Sequence, residues 1–465
     1  MRYFDLFNGA IRVNGFVFLL NTLLLLHFII NYFWSSYRKG FKVDFWHAKA
    51  FLIFVVPILI MYPTAASYWH EWRMGHAVFS VQPYVNQAYL INAVGYIAAY
   101  AGYYFYNVTR HRTLAYFIVD RVNRPFARLT YFALLNRTGM HFLFGLGIFF
   151  STVFLAIAVP RYGLNFQLRD YSLADPTIKP LLNFTLASYV PIVLMLFGIR
   201  YYQFREKVIA LYFCVFAFVL FFSGSRSGFL LPLLNLIVFY AIVKRRRISL
   251  TAILLLGFTF LMTAFYLGAL RNGENTSFGS LINNFSLNLF YGNNFSDITD
   301  FAWVLTGWDG RFLNGMTYVA GLLSFIPRSL SELRETYTFG VFTARAVGFN
   351  PTMHAGFHIG PYGEIFLNFN WIGVVVLGFS SGYVLRYVDA SIKEQINGHE
   401  PHLILKIYSL SIIFVFVNSF YNTNGFWANY ILIFVLLSAY GVRQIVRNIN
   451  RAQSRYLSPI STAHH

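Results

Sequence analysis

Long apolar stretches separated by short polar loops run along the whole chain. About 20 successive apolar residues are needed for a helix to cross the hydrocarbon core of a bilayer. The pattern therefore predicts an all-α polytopic membrane protein, a single transmembrane domain over residues 1–465 with about eleven transmembrane helices. The predicted spans are 15–34, 51–67, 87–108, 141–160, 181–199, 208–223, 228–243, 250–269, 365–385, 404–420 and 426–442.

Composition and charge support this prediction and orient it. With 57% hydrophobic and 11% charged residues, the chain is too apolar for a soluble globular enzyme, and the lone Cys214 excludes an internal disulfide framework. Two thirds of the 36 Lys and Arg residues fall in loops on one predicted side. By the positive-inside rule that side is cytoplasmic and holds the C-terminus. The net charge of +19 thus indicates topology and contact with the lipid bilayer, and no nucleic-acid partner is expected.

Residues 271–364 form a predicted external loop that is far longer than the others. Long ordered connections tend to be functional. Within it, the stretch 312–325 (FLNGMTYVAGLLSF) is apolar but too short to span the membrane comfortably, so it predicts an interfacial or re-entrant helix ending at Pro327. No Gly-rich nucleotide loop is present in the sequence. An enzyme of this kind would take a membrane-borne donor, without a cofactor.

Arginines on the predicted outer side are candidates for binding a phosphate. Arg226 lies in the SGSRSG turn between two spans, Arg271 directly follows a span, and Arg328 (IPRSL) is followed by Arg334 and Arg345. A guanidinium presents a fork of donors that suits phosphate oxygens. Anchoring of the chain at the membrane interface explains such arginines equally well.

Acids and histidines of the same loop are candidates for contacts with a substrate. Asp297 and Asp300 (SDITD) could accept hydrogen bonds from sugar hydroxyls, although a solvated helix start is the simpler explanation. In the segment 351–373 (PTMHAGFHIGPYGEIFLNFNWIG), Glu364 opens a span, where the helix dipole stabilises an acid and where a general base could act. His354 and His358 are four residues apart and might share a helical face. They lack a third ligand, so a proton acceptor is favoured over a metal site.

In this order, the SGSRSG turn, the loop sequence NGMTYVAGLLSFIPRSL and the segment PTMHAGFHIGPYGEIFLNFNWIG resemble the Wzy-type oligosaccharide repeat-unit polymerases. The resemblance implies a GT-C-type glycosyltransferase architecture in the bacterial inner membrane, with the large loop in the periplasm. It also implies a substrate, undecaprenyl-pyrophosphate-linked oligosaccharide, that is joined into a surface polysaccharide such as O-antigen. A chain-length regulator is a possible partner.

The resemblance also implies roles for residues. Arg226, Arg271 and Arg328 would stabilise the leaving pyrophosphate without a metal or nucleotide. Glu364, or else His354 or His358, would accept the proton of the attacking hydroxyl.

Two alternatives to a polymerase stay open. One is an O-antigen ligase, which transfers the glycan to a lipid A core and would be favoured by a histidine base. The other is a flippase of lipid-linked sugars, which is disfavoured because most charges lie at the ends of spans.

Overall fold

The fold is given by a computed structural model. It describes residues 14–39, 45–67, 71–74, 77–80, 82–109, 113–163, 168–222, 226–244, 296–351, 356–397, 421–423 and 425–457, with isolated positions between 255 and 281 and residue 406.

The described chain is predominantly helical, as predicted. The helices are α1 Gly15–Lys39, α2 Phe45–Ala50, α3 Tyr62–Ser67, α4 Gln82–Thr109, α5 Thr113–Leu135, α6 Arg137–Tyr162, α7 Leu168–Ala174, α8 Lys179–Phe184, α9 Val190–Phe204, α10 Lys207–Phe222, α11 Arg226–Lys244, α12 Asp297–Gly307, α13 Met316–Leu322, α14 Glu332–Tyr337, α15 Phe339–Val347, α16 Gly360–Asn397 and α17 Gly425–Leu457. Two π-helical stretches, Phe51–Ile60 and Thr185–Tyr189, continue α2 and α8, and a 3₁₀ turn covers Arg328–Leu330. A short antiparallel hairpin pairs β1 (Glu71–Met74) with β2 (Ala77–Ser80).

Within these residues, five helical segments are long and apolar enough to cross a membrane. They are Gly15–Trp34, Arg137–Tyr162, Lys179–Phe204, Gly360–Glu394 and Gly425–Ala452. Each coincides with one of the predicted spans, because the bilayer imposes one length and one composition on any helix that crosses it.

The other six predicted spans divide into three groups. Ile53–Ala66, Lys207–Phe221 and Gly228–Ile237 are apolar helices, but shorter than a full crossing. Predicted span 87–108 lies within the helix α4, whose many tyrosines lower its mean hydropathy. Predicted span 404–420 falls almost entirely outside the described residues, and about half of predicted span 250–269 does so, with helical positions scattered between 255 and 269.

Buried apolar side chains of the described chain form two large clusters, and α16 contributes to both. The first cluster combines α1–α4 with α12, α15 and the first half of α16. The second combines α5–α11 with α17 and the last turns of α16, at Val388 and Ile392. The helix α16 therefore links the two parts of the bundle.

The helices α4 and α16 approach each other closely through small residues. A Cβ atom added at Gly382 would lie 1.7 Å from the Ala99 carbonyl oxygen, and one at Gly102 would lie 2.0 Å from the Phe379 carbonyl oxygen. Small residues at such crossings let two backbones pack directly, which is common between membrane helices. At its start, α16 is fixed by the buried Asn92 of α4, whose Oδ1 accepts the Tyr362 N–H at 3.2 Å. This packing sets the position of the residues just inside α16.

Candidate functional site

The helix α16 is interrupted at Asn370, inside the segment Gly360–Glu394 that is long and apolar enough to cross a membrane. This residue has φ 58° and ψ −166°, a conformation that is strained for any residue other than glycine. The carbonyl groups freed by the break are not left unpaired. The Leu313 N–H donates to Leu367 O at 2.9 Å and the Asn314 N–H donates to Asn368 O at 3.1 Å. The connection before α13 thus packs against the broken helix and pairs with its free backbone groups. Non-helical backbone at membrane depth requires such pairing.

An open groove of about 550 Å³ runs along the break. Its walls are mostly apolar and include Phe312, Ile372 and Val376, and the amides of Asn314 and Asn368 lie at the same place. Ile372 and Val376 are 77% and 54% exposed. Apolar walls exposed on a membrane-crossing helix suit a lipid chain better than a soluble ligand.

Glu364 is buried and completely engaged by hydroxyl and amide donors. Its Oε1 accepts from Thr317 Oγ1 at 2.7 Å and from Thr423 Oγ1 at 2.6 Å, and its Oε2 accepts from the Thr423 N–H at 3.0 Å. Asn368 Nδ2 donates both to Thr317 Oγ1 and to the Glu364 carbonyl, each at 2.8 Å. The carboxylate therefore ties α13, α16 and the residues before α17 together.

The position of Glu364 differs from the one expected. The helix α16 begins at Gly360, so Glu364 lies in its second turn, and the first turn carries no acid. Only 1% of Glu364 is exposed. A general base has to come within hydrogen-bond reach of the proton it takes, directly or through one water. In this arrangement the carboxylate holds structure, and its role as a base stays a prediction.

A second acidic group lies at the start of α12, as the SDITD sequence predicts. Asp297 and Asp300 occupy the first turn of that helix. The explanation as a solvated helix start is wrong for Asp300, because this residue is only 9% exposed. Asp300 Oδ2 accepts the His358 N–H at 3.2 Å. Burial raises the pKa of Asp300 to about 6. Burial likewise raises the pKa of Asp297, while the neighbouring His358 opposes this rise.

His358 is exposed and lies beside Asp297. An exposed imidazole beside a carboxylate is accessible to a bound substrate, which suits proton transfer. The expectation that His354 and His358 share a helical face is wrong for His358, because residues 356–359 are not helical and α16 starts only at Gly360. His354 lies outside the described residues.

The start of α8, the 3₁₀ turn after α13 and the helix α14 each contribute one cation to a group. Lys179 and Arg334 each lie within electrostatic reach of Arg328. Burial, and then the positive charge of Arg328, lower the pKa of Arg334. The nearby acid is Glu335, and Arg334 Nε is buried without a hydrogen-bond partner among the described residues. We call Lys179, Arg328 and Arg334 the cation cluster. Its like charges repel one another, so an anion would stabilise it.

The remaining predicted arginines do not join this cluster within the described residues. Arg345 lies in the last turn of α15, where its side chain is exposed. Arg226 is the first residue of α11, but its side chain is not described, and Arg271 lies outside the described residues. The predicted grouping of Arg226, Arg271 and Arg328 is thus untested.

Sequence analysis missed several residues of these sites. Lys179 is an isolated lysine before a span, and nothing local connects it with Arg328. Thr317, Thr423 and Asn368 surround Glu364 in space only. For Thr423 a signal exists, since the polar run YNTNG interrupts two apolar stretches.

The chain matches no protein-family model, no curated protein sequence and no solved structure. The case for a function therefore depends on the geometry of these sites and on the resemblance of the sequence motifs.

Proposed function

We propose that the protein is a membrane glycosyltransferase. It polymerises undecaprenyl-pyrophosphate-linked oligosaccharide repeat units at the outer face of the bacterial inner membrane. The observation that carries this proposal is the cation cluster, in which Lys179 of α8 and Arg334 each lie within electrostatic reach of Arg328. Both arginines belong to the long segment 271–364.

The charge of the cluster and its position at the end of an apolar, membrane-length segment both suit a lipid pyrophosphate. Two linked phosphoryl groups spread negative charge over many oxygens, and several donors are needed to match them. Lys179 opens the membrane-crossing segment Lys179–Phe204, so its ammonium group lies where a headgroup meets the bilayer. The charge pattern of the loops predicts that Lys179 and the segment 271–364 share the outer side. The electrostatic interaction of Lys179 with Arg328 is consistent with that topology.

Apolar surface beside the cluster suits the lipid part of the substrate. Val319, Leu322 and Phe325, in or just after α13, are 42%, 48% and 60% exposed. The other end of α13 leads to the groove at the break in α16, where Phe312 and Ile372 form apolar walls. Together these surfaces offer a path for an isoprenoid chain at membrane depth.

The proposed reaction follows from these placements. A hydroxyl of the incoming unit attacks the anomeric carbon of the growing glycan, and the bond from that carbon to the pyrophosphate oxygen breaks. The cation cluster stabilises the negative charge that develops on the leaving pyrophosphate. The proton of the hydroxyl passes to a base, for which the exposed His358 beside Asp297 is better placed for access than the buried Glu364.

The experiment uses the purified protein in liposomes with a lipid-pyrophosphate-linked repeat unit, no nucleotide and added chelator, and resolves the products on a gel. We expect a ladder of products, lost in the double variant Lys179→Gln/Arg328→Gln. The matched control is Arg311→Gln, because Arg311 lies in the same segment with 90% of its side chain exposed. A ladder unchanged in the double variant would contradict the proposal.

A second candidate function is an O-antigen ligase, and the His358–Asp297 pair is the observation that favours it. In the same assay, a ligase would make no ladder but would transfer glycan when a lipid A core acceptor is added. Formation of neither product would direct attention to lipid flipping.

A further inference from the structure

The helix α17 carries a basic stripe beyond its apolar part. Arg443, Arg447 and Arg451 are four residues apart and therefore lie on one face of the helix. No acidic residue occurs anywhere in α17. Like charges at this spacing destabilise a helix. The stripe thus lowers the stability of α17, and no acidic residue of the helix compensates for this.

These arginines line an open pocket. It has a volume of about 410 Å³, and its lining residues are Asn136, Arg443, Val446, Arg447, Asn450 and Arg451. The guanidinium carbon of Arg443 lies 4.2 Å from the centre of the Phe132 ring of α5. Stacking on a ring orients the guanidinium plane and leaves its N–H edges available for an anion. The pocket therefore combines an arginine oriented by a ring with two further arginines and with two side-chain amides.

The surroundings of the pocket indicate that its ligand is a lipid. Ile445 and Ile449, which alternate with the arginines along α17, are 59% and 51% exposed. A helix with exposed apolar residues on one side and arginines on the other lies at the boundary between acyl chains and headgroups. The neighbouring helix α5 adds exposed Arg124 and Arg128 on its own surface. An anion held at this depth next to apolar surface is the phosphate of a lipid.

We propose that the pocket between α5 and α17 binds the headgroup of an anionic phospholipid that carries two phosphates and no amine, of the diphosphatidylglycerol type. Three arginines and two asparagines match two phosphates, whereas the ammonium group of phosphatidylethanolamine would be repelled. This site is separate from the cation cluster of Lys179, Arg328 and Arg334, and it does not depend on the proposed function.

The test measures lipid retention by native mass spectrometry on the full-length protein in detergent, titrated with diphosphatidylglycerol, phosphatidylethanolamine or inorganic pyrophosphate. We expect the double variant Arg443→Gln/Arg447→Gln to bind diphosphatidylglycerol about 20-fold more weakly. Arg447→Lys keeps the charge and loses the fork, so it should weaken binding by less. Arg311→Gln, a change at an exposed site elsewhere, should leave binding unchanged.

Three results would overturn the proposal. The first is equal binding of diphosphatidylglycerol by the wild type and by the folded double variant. The second is equal retention of phosphatidylethanolamine by the wild type. The third is displacement of the lipid by micromolar pyrophosphate, which would assign the pocket to a soluble phosphate compound.

Discussion

The surroundings of Glu364 and the cation cluster handle charge in opposite ways. Glu364 is 1% exposed, and both of its carboxylate oxygens accept hydrogen bonds from Thr317 and Thr423. The cations Lys179 and Arg328 instead lie within electrostatic reach of each other, and Arg328 is exposed. A buried charge with all its donors in place holds elements together, whereas like charges held close together are stabilised by an anion from outside. The first arrangement indicates structure and the second indicates binding.

The largest effect is expected at the buried carboxylate. Replacing Glu364→Ala leaves the hydroxyls of Thr317 and Thr423 without their acceptor inside the protein. The loss should cost about 3 kcal/mol or more in the free energy of unfolding, measured by thermal or denaturant unfolding in detergent.

The control for that experiment is Glu332→Ala, because Glu332 is exposed in the first turn of α14. It should change the stability by less than about 0.5 kcal/mol. If the Glu364→Ala protein is as stable as the wild type but inactive, Glu364 is a catalytic group. The contrast between a structural carboxylate and a binding cluster of cations would then disappear.

A pH dependence is expected from Asp300, whose burial raises its pKa from 3.8 to about 6. Between these pH values the folded protein keeps a proton that the unfolded chain has released, so stability falls as the pH rises from 4 to 6. Above pH 6 both states are ionised and the full penalty, roughly 3 kcal/mol, is present.

Asp300→Asn tests this assignment, since it removes the buried charge and keeps an oxygen for the His358 N–H. The variant should be more stable than the wild type at pH 8. It should lose part of the dependence between pH 4 and 6, because the pKa of Asp297, which burial also raises, still contributes. An unchanged pH profile would exclude Asp300 as its source. Such a result would mean that the acidic sites and the cation cluster differ in their burial and not in the way they handle charge.

Substitutions in the cation cluster should lower the rate of glycan transfer and leave the stability of the protein nearly unchanged. The double variant Lys179→Gln/Arg328→Gln removes like charges, so its free energy of unfolding should change by less than about 0.5 kcal/mol. Its initial rate of glycan transfer should fall at least about tenfold, equivalent to about 1.4 kcal/mol of transition-state stabilisation. Loss of folding in this variant would show that the cluster is structural after all.

The smallest effect is expected at Arg345, which was a candidate for substrate binding on sequence grounds. Its side chain is exposed at the end of α15, and the structure does not bring it into the cation cluster. Arg345→Gln should therefore change the rate of transfer by less than about twofold and the stability by less than about 0.5 kcal/mol. A tenfold lower rate would extend the binding surface along α15.

Hydropathy predicted the five long membrane-crossing segments because bilayer thickness fixes their length. The acids at the start of α12 were also located correctly. The break at Asn370 could not be predicted, since NFNWIG contains no proline and the bonds from Leu313 and Asn314 that satisfy it come from a distant segment. The proximity of Lys179 to Arg328 is likewise a property of the packed bundle. Sequence patterns report local burial, and these sites depend on contacts between remote segments.

The most direct test of the central claim is the affinity of the purified protein for an undecaprenyl-pyrophosphate-linked repeat unit, measured for the wild type and for Lys179→Gln/Arg328→Gln. Undecaprenyl-linked glycan without the pyrophosphate serves as the reference ligand. The account predicts tighter binding of the pyrophosphate ligand by the wild type and loss of that preference in the double variant. Equal affinity of both proteins for both ligands would contradict it.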